Sequence, residues 1–284
     1  MKVTYYPGCF LQGTAKDYAE SILGICQHLN IQFEEVPDWN CCGATAAHSI
    51  DHRASIELAG RNLNLAAELP HADMLVPCPM CFNRLKTASF VLKGDQKERY
   101  NIDLHDSIPE IWDLANFFAT DDMLQLVAGQ LKKPLNDLRV VCYYGCVANR
   151  PQEITKATDV ENPQSMDRII ENLGGTAISW PYKADCCGAS QMLSRPDIVS
   201  RLVAKLYDMA QRVDAQAVVV SCQMCQANLD IFQERVGVDW GKRFSLPIYY
   251  FSELIGLAMD VKGVRKWLSR HITDPLSLLN KLGL

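Results

Sequence analysis

The chain has 284 residues, 48% hydrophobic and 21% charged, with a net charge of −5. That is the composition of a globular protein with room for one large domain or two ordinary ones. No basic face stands out, which argues against nucleic acid as a partner, and no stretch reaches the roughly 18 apolar residues of a membrane span.

The first residues, MKVTYYPGCF, carry charge and turn residues where a signal peptide has an apolar run, so a cytoplasmic location is expected. KVTYY (2–6) reads as a short buried strand. Ala15, Tyr18, Ala19, Ile22, Cys26 and Leu29 then share one stripe at helical spacing. IQFEEV (31–36) is a second strand, followed by Cys41-Cys42-Gly43 and a long helix over about 50–69. DMLVP (73–77) is a third strand and runs into Cys78-Pro79-Met80-Cys81, with a helix after it. YNIDLH (100–105) is read as the fourth strand, ending at His105 and leading into another helix.

The same order then recurs. RVVCYY (139–144), GTAISW (175–180), AVVVS (217–221) and PIYYF (247–251) are the strands, with a long helix over about 196–213. Cys9, 31 residues, Cys41-Cys42-Gly43, 34 residues and Cys78-x2-Cys81 answer Cys146, 39 residues, Cys186-Cys187-Gly188, 33 residues and Cys222-x2-Cys225. Strands alternating with helices predict an α/β protein of two pseudo-symmetric Rossmann-like halves with parallel sheets. The expected bounds are 1–134 and 135–261, with a tail over 262–284 that docks on the chain.

Ten of the twelve cysteines fall into the two sets. Each cysteine motif follows a strand, in a βα loop at the carboxyl edge of its sheet, where α/β ligand crevices form. Five thiols are thus expected at each rim, with Cys81 and Cys225 in the first turn of a helix. Adjacent cysteines make a poor disulfide, because their Cα atoms lie only about 3.8 Å apart. In a reducing compartment such thiols point to metal or redox chemistry. One zinc ion takes four ligands, so five thiolates with an adjacent pair suit a polynuclear iron–sulfur site better. Structural zinc at one or both sites, and a thioredoxin-like dithiol exchanger at Cys78/Cys81 or Cys222/Cys225, remain as alternatives.

This doubled arrangement resembles the cysteine-rich CCG motif of the family formed by the B subunits of heterodisulfide reductases, over about residues 1–260. The resemblance implies two non-cubane [4Fe–4S] clusters lying face to face, with a disulfide cleaved or formed between them. Cys9, Cys41, Cys42, Cys78 and Cys81 would hold one cluster, and Cys146, Cys186, Cys187, Cys222 and Cys225 the other. The chain has neither a G-x-G-x-x-G fingerprint nor a ferredoxin cysteine run. Two electron partners are therefore implied: a ferredoxin-like iron–sulfur subunit of the family's C type and, behind it, a flavin-bearing one of the A type. A disulfide or thiol is the implied substrate. An electron-relay or structural subunit with no substrate site is the alternative.

Other residues carry smaller expectations. Cys26 and Cys142 read as core residues, Cys142 matching Thr4 when the tyrosine pairs are aligned. His48 reads as a surface histidine or one supporting the first rim. His105 is a candidate proton donor near the substrate. Lys183 and Arg150 read as ordinary solvated charges near the second rim.

Overall fold

The runs DMLV and AVVV are apolar without alternation, the pattern of strands covered on both faces. They become β3 (Asp73–Val76) and β7 (Ala217–Val220), each central in a four-stranded all-parallel sheet. The computed structural model describes residues 1–95 and 97–284. Its first sheet joins β1 (Lys2–Tyr5), β2 (Gln32–Glu35), β3 and β4 (Glu110–Asp113) in the order β2-β1-β3-β4. Its second joins β5 (Arg139–Tyr143), β6 (Thr176–Ala177), β7 and β8 (Ile248–Tyr250) in the order β6-β5-β7-β8. The long helices run over His52–Ala67 and Pro196–Arg212, close to their expected places.

The fourth strand of the first half is not YNIDLH. That segment is a loop lying along the helix His52–Ala67, and β4 is EIWD, paired with β3 in the register Val76↔Asp113. Residues 101–105 do alternate between exposed and half-buried, but the buried face meets a helix. Asn64 accepts from the His105 N–H (3.0 Å) and donates to the Asp103 carbonyl (2.8 Å), while Glu57 accepts from the Asn101 N–H (3.0 Å). With its backbone served by helix side chains, the segment has no need of a sheet.

The two halves meet along a buried seam. The helix Lys16–His28 of the first half packs on Phe251–Ala258 of the second. Tyr18 stacks on Tyr250 at 4.1 Å between ring centroids, and its hydroxyl donates to the Ser221 carbonyl (3.0 Å). The Ser21 and Ser252 hydroxyls share a hydrogen bond of 2.6 Å. The tail docks across this seam. Trp267 is 5% exposed, and its indole covers Gly24 of one helix and Gly256 of the other. A Cβ there would come within 2.6 and 2.9 Å of the ring.

The tail also places His271 against Glu253, Nε2 to Oε1 at 2.9 Å, with both side chains fully buried. Burial works against the imidazolium. The Glu253 carboxylate and its hydrogen bond, with Asp230 and Asp17, outweigh this and lift the His271 pKa to about 9. The folded state therefore holds this proton more tightly than the unfolded chain, whose histidine titrates near 6.5. The stabilisation is complete below about 6.5 and is lost as the pH rises through about 9. The urea midpoint is expected to be lower at about pH 9.5 than at about pH 6.5, and the difference to shrink in His271→Gln. An equal fall in that variant would remove His271 as the cause.

Candidate metal centre

Strand ends position the cysteines. Cys9 lies in the helical turn Gly8–Gln12 just past β1. Cys78 and Cys222 are the N-caps of the helices Pro79–Lys93 and Gln223–Ile231, which puts Cys81 and Cys225 in their first turns. Gly8 and Gly145 adopt φ of +70° and +68°, and a Cβ on them would lie 2.9 Å from Cys81 Sγ and 3.1 Å from Cys225 Sγ. Glycine thus permits the turn and leaves room beside a sulfur.

A tyrosine fixes each CC pair. Tyr6 donates to the carbonyl of Asn40 (2.7 Å), the residue before Cys41, and Tyr143 to the carbonyl of Asp185 (2.6 Å), the residue before Cys186. Asn62 grips Asn40 from the other side, through its N–H and its carbonyl, both at 2.9 Å. Tyr6 and Tyr143 each stand three residues before their cysteine, so Tyr143 matches Tyr6. Aligning the tyrosine pairs shifts this match by one; Cys142 corresponds to Tyr5, not Thr4. Counting back from the cysteine finds it. Cys142 and Cys26 are buried core residues, as expected.

The thiols of each set converge. Cys42 Sγ lies 3.2 Å from Cys81 Sγ, and Cys187 Sγ lies 3.7 Å from Cys225 Sγ. Five neighbouring thiols cannot all ionise, so they share protons. Hydrogen bonds from Cys41 and then Cys81 hold Cys42 down at about 4, and that same sharing pushes Cys41 and Cys81 up. In the second set Cys146 holds Cys186 at about 6, and Cys225 lowers Cys187. Cys146 and Cys225 are correspondingly raised. Cys9 lies within electrostatic reach of Cys41. Cys9, Cys41 and Cys186 are exposed, while Cys42, Cys78, Cys81, Cys187, Cys222 and Cys225 are buried.

As the side chains lie, the thiols are linked in chains, Cys41–Cys42–Cys81–Cys78 in the first set and Cys146–Cys186 and Cys187–Cys225–Cys222 in the second, and among the described residues no three His, Cys, Asp or Glu groups form a set that could hold a metal ion. The donor set still fits a polynuclear group. Each rim offers soft sulfur ligands from three separate loops, two of them adjacent, and a glycine keeps space beside the innermost sulfur.

The two rims are tied together. Gln223, inside the second CxxC, donates Nε2–H to Cys78 Sγ of the first half at 2.8 Å. Gln223 is 2% exposed and its Oε1 has no partner. In the opposite direction Asn83 donates to the carbonyls of Val147 (3.0 Å) and Arg150 (2.8 Å) in the loop after Cys146. Burial raises the Tyr18 pKa, and Cys222 and then Cys78 add to it, so this ring lies within electrostatic reach of thiols from both halves. The repeats alone could not reveal Gln223, because Pro79 occupies its place in the first copy.

Two candidates fall elsewhere than expected. His105 is exposed on the loop over His52–Ala67, and the strand end foreseen for it belongs to Asp113. Lys183 is no solvated charge. It is 2% exposed and paired with Asp167 at 2.7 Å, because Asp167 also accepts from the Tyr144 hydroxyl and can neutralise a buried ammonium. Arg150 does behave as a solvated charge, paired with the exposed Glu161 at 2.6 Å. His48 is exposed, and its Nδ1 lies 3.0 Å from Arg84 Nη1.

The family described as CCG, cysteine-rich domain, matches residues 3–86 and 140–230. The chain therefore belongs to the cysteine-rich CCG family and carries its domain twice. Among its relatives, it is 28% identical to the 8-methylmenaquinol:fumarate reductase membrane anchor subunit of Wolinella succinogenes, over 96% of this chain and 98% of that protein. It is 24% identical to the B subunit of the ferredoxin:CoB-CoM heterodisulfide reductase of Methanosarcina mazei, over 99% and 97%. A crystal structure of a hypothetical protein from Helicobacter pylori shares the fold, with a TM-score of 0.71 at 11% identity over 95% of this chain; the chain spans about half of that structure, 52%. Among the described residues no helix is long and apolar enough to cross a membrane.

Proposed function

We propose that the chain is the iron–sulfur subunit of a heterodisulfide reductase-like complex, cleaving or forming a disulfide between two [4Fe–4S] clusters of non-cubane type. The observation that carries this reading is the abutment of the two rims, where an amide of the second CxxC touches a thiol of the first. Relatives named as the B subunits of heterodisulfide reductases, at 24% identity over nearly the whole chain, support it. Cys9, Cys41, Cys42, Cys78 and Cys81 would hold one cluster and Cys146, Cys186, Cys187, Cys222 and Cys225 the other. When bound, the clusters would supply the two electrons that convert a disulfide into two thiols, with the two protons taken from solvent. The chain's own part is to hold the two sets of sulfurs together. Tyr6, Tyr143 and Asn62 orient the CC pairs, and Tyr18, Tyr250 and Gln223 keep water out of the seam. Electrons would come from a ferredoxin-like subunit, itself supplied by a flavin subunit.

Anaerobic purification with iron and sulfide analysis, followed by EPR with candidate thiols added, tests the proposal. It predicts a brown protein with about eight irons per chain and a thiol-dependent signal. A colourless zinc protein would sink it. Iron without any response to thiols would leave only the electron-relay role.

Gln223 supplies a finer expectation. An N–H donor to a cluster sulfur favours the reduced, more negative state. Gln223→Leu is expected to lower the midpoint potential of one centre by on the order of 40 mV, equivalent to about 1 kcal/mol for one electron. EPR-monitored redox titration reads this directly. Two unchanged potentials would show that the bond does not act on the cluster.

A further inference from the structure

The two halves carry the same cleft, and the tail fills only one of them. Each cleft lies between the CxxC helix of one half, the end of that half's fourth strand, and the chain following the first cysteine of the other half. Phe82, Lys86 and Asp113 line one; Gln226, Asp230 and Tyr250 line the other at matching places. Phe82 and Gln226 directly follow their CxxC, and Lys86 and Asp230 lie one turn further along. Asp113 and Tyr250 each cap the helix after the fourth strand.

The cleft beside Asp230 is reduced to about 150 Å³ by Arg270 and Ile272 of the tail. Asp230 accepts the backbone N–H groups of Ile272 (2.7 Å) and Thr273 (2.8 Å). The cleft beside Lys86 remains open, at about 700 Å³, a volume suited to a small molecule. Its far wall includes Asn149 and Ser165, within the longer first gap of the second copy, 39 residues against 31.

The polarity of the open cleft is reversed. Lys86 stands where Asp230 accepts the tail, and Asn116 where Glu253 does. Asn149 lines the cavity at 4% exposure, and its Nδ2 has no partner. A buried amide N–H without an acceptor is costly, and an incoming acceptor relieves that cost. Lys156, exposed at the cavity, forms no ion pair among the described residues. Lys86 and Arg168 are paired outward, with Glu110 and Asp121, whose side chains are 62% and 82% exposed. The acids present are otherwise engaged. Asp159 accepts from the Glu161 and Asn162 N–H groups, and Asp113 accepts from Asn116.

We propose that this cavity binds a small organic anion bearing a carboxylate or phosphate, with Asn149 Nδ2 and the Lys86 and Lys156 ammonium groups as its donors. The tail's N–H groups satisfy the acceptor in one cleft, and the ligand's oxygens satisfy the donors in the other. This inference needs only the cavity and stands apart from the redox reading.

Titration calorimetry on the whole, anaerobically purified chain tests it with three probes: thiodipropionate, its dimethyl ester and inorganic phosphate. The diacid or phosphate is expected to bind, with the ester at least tenfold weaker than the diacid. Asn149→Leu and Lys156→Met should each weaken anion binding by about tenfold, as loss of one charge-assisted contact does. Binding by the diacid assigns a carboxylate ligand, and binding by phosphate alone assigns a phosphorylated one. The proposal is overturned if neither anion binds at millimolar concentration, if the diacid binds and its ester binds as tightly, or if Lys156→Met, a surface change that leaves the fold intact, has no effect.

Discussion

Trp267→Ala is expected to lower the free energy of unfolding by about 3–5 kcal/mol, the range for emptying a buried aromatic site. The indole is 5% exposed and rests on Gly24 of the first half and Gly256 of the second. Both contacts are closer than any Cβ would allow, so neither glycine can be enlarged while the indole is in place. The helices that carry them also bring Tyr18 and Ser252 to the seam, so the cavity opens at the joint between the halves. Urea unfolding measures the loss. A change below about 1 kcal/mol, the level of an ordinary surface substitution, would mean that the tail is not clasping the halves.

The second large effect concerns the buried charge pair. Asp167→Asn is expected to cost about 3–5 kcal/mol, because it leaves the Lys183 ammonium buried without its counter-charge. The Tyr144 hydroxyl, which donates to Asp167 at 2.7 Å, would lose its carboxylate as well. The consequence should reach the second rim. The Lys183 carbonyl accepts the Tyr144 N–H (2.8 Å) and the Gly145 N–H (3.1 Å), and Gly145 precedes Cys146. The variant should therefore both unfold at lower urea and retain less iron. Lys183→Met combined with Asp167→Leu should recover most of the stability, since removing both charges removes the penalty. If Asp167→Asn alone unfolds like the parent, the pair contributes nothing to stability.

Much of the molecule is legible in the cysteines. Their doubled spacing locates both rims, the strands that end at them and the helices that begin there, because a βα loop at a sheet edge leaves a regular trace in sequence. Contacts made across the structure leave no such trace. The alternation in YNIDLH is shared by a strand and by a segment resting on a helix, and only Asn64 and Glu57, many residues away, decide between them. Lys183 reads as solvated because nothing in the repeat links it to its partner, Asp167, in the helix Ser165–Asn172. Gln223 stays hidden because the two copies differ there, and its partner lies in the opposite half.

Synthesis runs from the amino end, so the five thiols of the first rim leave the ribosome well before Gln223, Ser221 and Trp267 exist. During that interval Cys78 has no amide above it, Tyr18 has no acceptor for its hydroxyl, and Gly24 faces water where the indole will later lie. The nascent first half therefore presents as bare surface the flank that the completed chain seals.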